Sequence, residues 1–137
     1  LFDQAKKLDA LVCGTENKTE RLLGYFTRFG DAASDFEVIN HLYKTKVRKL
    51  AQYLHIPREI INIPPTAGLW EGQTDEKELG FTYKEIDHVL RLYFDEKLSI
   101  DSIIKQGFSH ARSIIDLVKK NQFKQEVPYI MDQASIE

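Results

Sequence analysis

Five carboxylates, three basic side chains and three glycines crowd into residues 14–37, GTENKTERLLGYFTRFGDAASDFE, with Tyr25 and Phe26 set between the charges. Glu20 follows Asn17 by three positions, the spacing of a capping box in which each side chain satisfies the other's backbone donor. The same carboxylate lies one turn beyond a strand-to-helix turn, where open α/β sheets bind ligands. There it could hold a hard cation such as Mg²⁺, which takes one or two carboxylates together with substrate phosphates. Asp31 and Asp35 flank two alanines and a serine; in a turn they would face one ligand, and in an open loop they would be solvated. Lys44 opens an amphipathic helix and is either a solvated lysine or a phosphate contact.

Two further stretches carry charge. PPTAGLWEGQTDEKELG, residues 64–80, has no steady period and sets Glu71, Asp75, Glu76 and Glu78 against Lys77. A loop of this length inside a domain is usually a lid or a binding loop, and Trp70 between Gly68 and Gly72 suggests closure over something. Residues 97–125 hold six basic groups against Asp101 and Asp116, and IIKQGFSHARSII reads as helix, glycine turn, helix, the outline of a DNA reader or of a helical hairpin packed on a larger domain. The histidines at 41, 55, 88 and 110 lack paired ligand spacing, so a zinc site is not expected.

The elements that must position these groups follow from periodicity and capping. Phe2, Ala5 and Leu8 predict a helix, and ALVCGT, residues 10–15, a buried strand ending at Gly14. Asn17 starts a helix that runs to about Gly24. From Tyr43, the stripe Val47, Leu50, Ala51, Leu54 predicts an amphipathic helix, and IPREI a short one before Pro64-Pro65. Thr82 to Glu85 is a second capping box, with Ile86, Val89, Leu90, Tyr93 and Phe94 following at helical intervals. Ser99 caps a helix ending at Gly107, Ser109 caps another with Ala111, Ile114, Ile115 and Val118 as its stripe, and Pro128 closes the ordered part. One strand cannot satisfy its own edges, so its partners are expected upstream of a chain that opens on Leu-Phe-Asp-Gln in mid-helix.

With 137 residues, of which 42% are hydrophobic, one core is expected, in one domain or part of a larger one. A formal charge of −2 argues against broad affinity for nucleic acid or membranes. The single cysteine, Cys13, excludes an internal disulfide and reads as a buried strand thiol in a reducing compartment. No apolar run approaches a membrane span and no signal peptide is visible, which predicts a cytoplasmic protein.

Taken in order, GTENKTERLLGYFTRFGD, LYKTKVRKLAQYL and PPTAGLWEGQTDEKELGFTYKEID closely resemble the downstream part of the ammonia-dependent NAD synthetases, over about residues 1–128. The resemblance implies an α/β, parallel-sheet ATP-pyrophosphatase fold, of which this segment, residues 1–137, is a mostly helical downstream part with one or two strands. It also implies a homodimer, with ATP, Mg²⁺, ammonia and deamido-NAD (nicotinic acid adenine dinucleotide) as reactants. ATP would adenylylate the nicotinate carboxylate, and ammonia would then displace AMP. By the same resemblance Glu20 would ligate Mg²⁺, and Thr15, Lys44 and Thr66 would contact ATP. Asp31, near the reacting carboxylate, and Asp35 would face deamido-NAD, joined by Glu78 from the flap and Lys124 from the tail. The family's SGGxDS loop has no counterpart in this sequence, and Phe123 stands where many relatives have histidine. The competing readings are a DNA-binding module over residues 97–125 and an inactive dimerisation module.

Overall fold

The computed structural model describes residues 1–126; the expected closure at Pro128 lies outside them. In order, the elements are α1 (Phe2–Leu8), β1 (Cys13–Gly14), α2 (Lys18–Leu23), β2 (Phe36–Glu37), α3 (Lys44–Tyr53), α4 (Arg58–Ile61), α5 (Asp75–Leu79), α6 (Tyr83–Leu90), a π-helix (Arg91–Asp95), α7 (Ile100–Lys105), α8 (Ala111–Asn121) and a 3₁₀ turn (Gln122–Gln125). The strands pair in parallel, Cys13 opposite Phe36 and Gly14 opposite Glu37, so α2 lies in the crossover that a parallel pair requires.

Local signals explain most of these elements. Asn17 Oδ1 accepts from the Thr19 and Glu20 amides and Glu20 Oε2 accepts from the Asn17 amide, completing the capping box that starts α2. Thr82 and Ser99 accept from the third amide of α6 and α7. Apolar stripes at helical spacing then meet in one core: Leu23 from α2, Ile86 and Val89 from α6, Ile103 from α7, and Ile114 and Ile115 from α8 are each at most 1% exposed. The stripe of α3 is shallower, half-buried at Val47, Leu50 and Ala51 and exposed at Leu54.

Several expectations are corrected. The strand is two residues long rather than six, and the Cys13 thiol is exposed, not buried, because successive side chains alternate across a strand and the described residues leave its face uncovered. Its partner β2 comes from downstream, after α2, and not from upstream as expected. The aperiodic flap contains α5, too short to display a period. Ser109 does not cap α8: the Ala111 amide bonds the Phe108 carbonyl at 3.1 Å, and the resulting turn moves the start on to His110. The helix expected to run on through Tyr93 and Phe94 does so with the wider winding of a π-helix. The 97–125 region is a helical hairpin whose apolar faces lie inside the core.

Candidate functional site

The ends of β1, α2 and α3 and the flap enclose a cavity of about 710 Å³. Seven of the eight residues singled out from the sequence line it: Thr15, Glu20, Asp31, Lys44, Thr66, Glu78 and Lys124. Asp35 does not; its Oδ2 accepts from the Val12 amide at 2.7 Å and so pins the approach to β1. The lining contains five carboxylates, Glu16, Glu20, Asp31, Asp75 and Glu78, and two ammonium groups, Lys44 and Lys124.

Each of these groups is held from behind. Lys44 begins α3, and its amide donates to Thr19 Oγ1 at 2.9 Å. That hydroxyl in turn donates to Asp87 Oδ1 at 2.6 Å, while Asp87 Oδ2 accepts from the Thr45 amide at 2.7 Å. The Asp87 carboxylate, 5% exposed, therefore ties α2, α3 and α6 together, and with them the two side chains they carry: Lys44 Nζ pairs with Glu20 Oε1 at 2.7 Å. Asp31 Oδ1 accepts from the Thr27 amide at 2.8 Å, and Thr66 Oγ1 from the Gly68 amide at 3.0 Å. Glu78 Oε2 accepts from the Tyr25 hydroxyl and from Gln73 Nε2, both at 2.9 Å. Lys124 donates to the Gly24 carbonyl at 2.5 Å and lies 5.0 Å from the centre of the Phe26 ring.

Sequence reasoning missed Glu16 as an individual residue. It is 9% exposed; its Oε2 accepts from Asn40 at 3.4 Å, and its Oε1 has no hydrogen-bond partner among the described residues. Its amide donates to Glu37 Oε2 at 3.0 Å, and Glu37 lies so close over β1 that a Cβ on Gly14 would stand 1.9 Å from its Oε1. Burial, reinforced by Glu37, Glu20 and Asp31, pushes the Glu16 carboxyl up to about 7. The folded chain thus keeps a proton that the unfolded chain releases near the ordinary value of 4.5, so this group's contribution to stability declines as pH rises between those values and is flat above them. Glu16→Gln, a neutral isostere, is expected to remove that decline and to stabilise the chain above pH 7 by about 2 kcal/mol, less than the full shift implies because water can relax into the cavity. Urea denaturation at pH 5 and pH 8 in metal-free buffer measures it.

As a metal site the cavity is sparse. Among the described residues no group of three or more His, Cys, Asp or Glu side chains could hold an ion by itself. Glu20 nonetheless offers a hard oxygen donor in an acidic surround, which suits a cation that takes most of its ligands from phosphates and water. Nor is any helix of the described residues long and apolar enough to cross a membrane.

Comparison with known proteins places this geometry. Residues 1–128 match the family model described as NAD synthase. The chain is 45% identical over 132 residues to an NH₃-dependent NAD⁺ synthetase of Fusobacterium nucleatum, covering 95% of this chain and 51% of that protein. It is 45% identical over 131 residues to the protein of that description from Methanocaldococcus jannaschii, covering 93% and 50%. Among solved structures it resembles an NMN synthetase from Francisella tularensis, with a TM-score of 0.78 and 34% identity over 96% of this chain and 51% of that one. It also resembles an NH₃-dependent NAD synthetase from Campylobacter jejuni, with a TM-score of 0.71 and 30% identity over 96% and 50%. The chain thus spans about half the length of the relatives it matches. The fold is that of these synthetases, the ATP-pyrophosphatase type expected from the sequence, here as a mostly helical segment with a two-stranded parallel sheet.

Proposed function

The chain belongs to the NAD synthase family, and from that membership we propose that its cavity is part of the site at which a cytoplasmic synthetase converts deamido-NAD to NAD with ATP and ammonia. The observation that carries the reading is the convergence of Thr15, Glu20, Asp31, Lys44, Thr66, Glu78 and Lys124 on one cavity, of a size that suits a nucleotide-sized ligand. These residues come from separate segments of the sequence, and nothing but the fold brings the segments together.

The chemistry needs two things of such a site. A carboxylate is a poor electrophile until one oxygen becomes a leaving group, so its oxygen attacks the α-phosphorus of ATP and pyrophosphate departs. Ammonia then forms the C–N bond, the acyl C–O bond breaks, AMP leaves with that electron pair, and the nitrogen gives up a proton. In the first step Lys44, with Thr15 and Thr66, would bind the phosphates, exchanging part of the Glu20 ion pair for phosphate oxygen. Glu20 would hold Mg²⁺, which offsets phosphate charge when bound. In the second step Asp31 would orient the nitrogen donor and accept its proton. Glu78 and Lys124 would bind the dinucleotide acid, with Asp35 fixing the approach to β1. The flap would shield the acyl adenylate from water, and a homodimer is the expected assembly.

One observation favours a second substrate. One of the solved structures that the chain resembles is an NMN synthetase, so the mononucleotide acid competes with the dinucleotide for the same chemistry. The test incubates the protein carrying this chain with ATP, Mg²⁺, ammonium and either acid. Equal yields of amide product and AMP are expected, and absence of both with either acid would refute the reading. Glu20→Ala should raise the Mg²⁺ concentration for half-maximal rate about tenfold, and Asp31→Ala should lower kcat while leaving ATP affinity intact.

A further inference from the structure

Tyr83 opens α6 and is 1% exposed, and the flap grips it at both ends. Its amide donates to Glu76 Oε1 at 2.8 Å and its hydroxyl to Asp75 Oδ2 at 2.7 Å. Asp75, the first residue of α5, is 4% exposed. Its Oδ1 accepts from the Tyr25 hydroxyl at 3.3 Å, and its own amide donates to the Pro65 carbonyl at 2.9 Å, next to Thr66. Two phenols thus solvate this buried carboxylate. Burial, with Asp75 and its neighbours adding, pushes the Tyr83 hydroxyl well above the usual phenol range, so it stays a donor. The ring between the two grips does not itself line the cavity but lies against a residue that does: Lys44 Nζ is 5.3 Å from its centroid while pairing with Glu20.

We propose that Tyr83, clamped by Asp75, is a positioning residue that makes docking of the flap and placement of Lys44 a single event. The inference rests on the reading of Lys44 as a phosphate contact. When α5 is seated, the ring is fixed at both ends and offers its negative face to the ammonium group. When α5 lifts, Asp75 and the phenol return to water, and the ring is free to turn away from Lys44. A ligand that draws on a correctly placed Lys44 must then favour the seated flap. By linkage the flap's seating strengthens that ligand's binding by the factor with which the ligand holds the flap down.

The experiment measures ATP affinity by calorimetry, and chymotryptic cleavage after Leu69 and Trp70 by mass spectrometry, with and without ATP. Both side chains are more than half exposed. Tyr83→Phe keeps the ring and removes only its tether. It is expected to weaken ATP binding three- to tenfold, to speed flap cleavage, and to shrink ATP's protection of the flap by the factor lost in affinity. Asp75→Asn still accepts from one phenol and should shift the same readouts less; it carries the test if Tyr83→Phe does not fold. A variant that lowers Tm but leaves ATP affinity and protection within twofold of the parent would overturn the proposal and make the clamp a purely structural one. Failure of the parent protein to bind ATP would instead bring down the nucleotide reading, and the coupling with it.

Discussion

Asp87→Ala is expected to cost about 3–5 kcal/mol of folding stability, since it strips a buried carboxylate from two donors that have no substitute. Thr19 Oγ1 and the Thr45 amide bond to the two oxygens of Asp87 at 2.6 and 2.7 Å, and with Asp87 gone the half-buried amide loses its acceptor. Asp87→Asn should lose roughly half as much, because one oxygen remains for the Thr45 amide while the NH₂ group replaces the acceptor of the Thr19 hydroxyl proton. Denaturant titration measures both. The functional consequence goes beyond the loss of stability: the Lys44 amide bonds to the same Thr19 hydroxyl, so the N-terminus of α3 shifts relative to α2, and Lys44 and Glu20 part. A stabilising background that restores Tm in Asp87→Ala should therefore leave ATP affinity still impaired.

Gly24→Ala should cost about 2–4 kcal/mol, as the sum of a left-handed backbone and an overpacked contact. Gly24 ends α2 at φ 64°, and a Cβ there would stand 2.5 Å from the Cβ of Asn121. Around it, the last carbonyls of α2 are satisfied from the far end of the chain: Leu23 O by Asn121 Nδ2 at 2.7 Å, Gly24 O by Lys124 Nζ at 2.5 Å, and Arg21 O by Gln125 Nε2 at 2.9 Å. Pushing Asn121 away undoes this seam and removes Lys124 from its seat beside Phe26. Thermal melting is expected to fall sharply, and the KM for the acid substrate to rise more than that for ATP.

The capping box at Asn17 and Glu20 and the stripes of α6 and α8 were legible because their partners lie within one or two turns. The parallel pairing of β1 with β2 was not, since Phe36 and Glu37 carry no strand period and are paired only by the crossover through α2. The site divides the same way. Its members could be named from their resemblance to a family, but the reason they converge is tertiary. Asp87, which aligns Thr19 and Lys44, reads in the sequence as one more polar residue of an amphipathic helix; Glu16 becomes a special carboxyl only when Glu37 and the cavity wall dry it. Asp35 shows the converse, an acid of the expected type whose carboxylate is taken up by a backbone amide. Asp75 and Glu78 look alike in an acidic stretch, and only burial tells them apart.

The π-helical residues Arg91–Asp95 set a rule for length variation along this chain. A π turn holds about one residue more than an α turn, so deleting one of residues 91–94 would let α6 continue as a regular helix with the downstream residues close to their present facing, whereas the same deletion inside α6 would rotate them by about 100°. A deletion inside α6 would thus swing Asp95 off Lys18 and Tyr43, which it holds at 2.7 and 2.9 Å. A one-residue gap at the π turn should therefore be better tolerated than one inside α6.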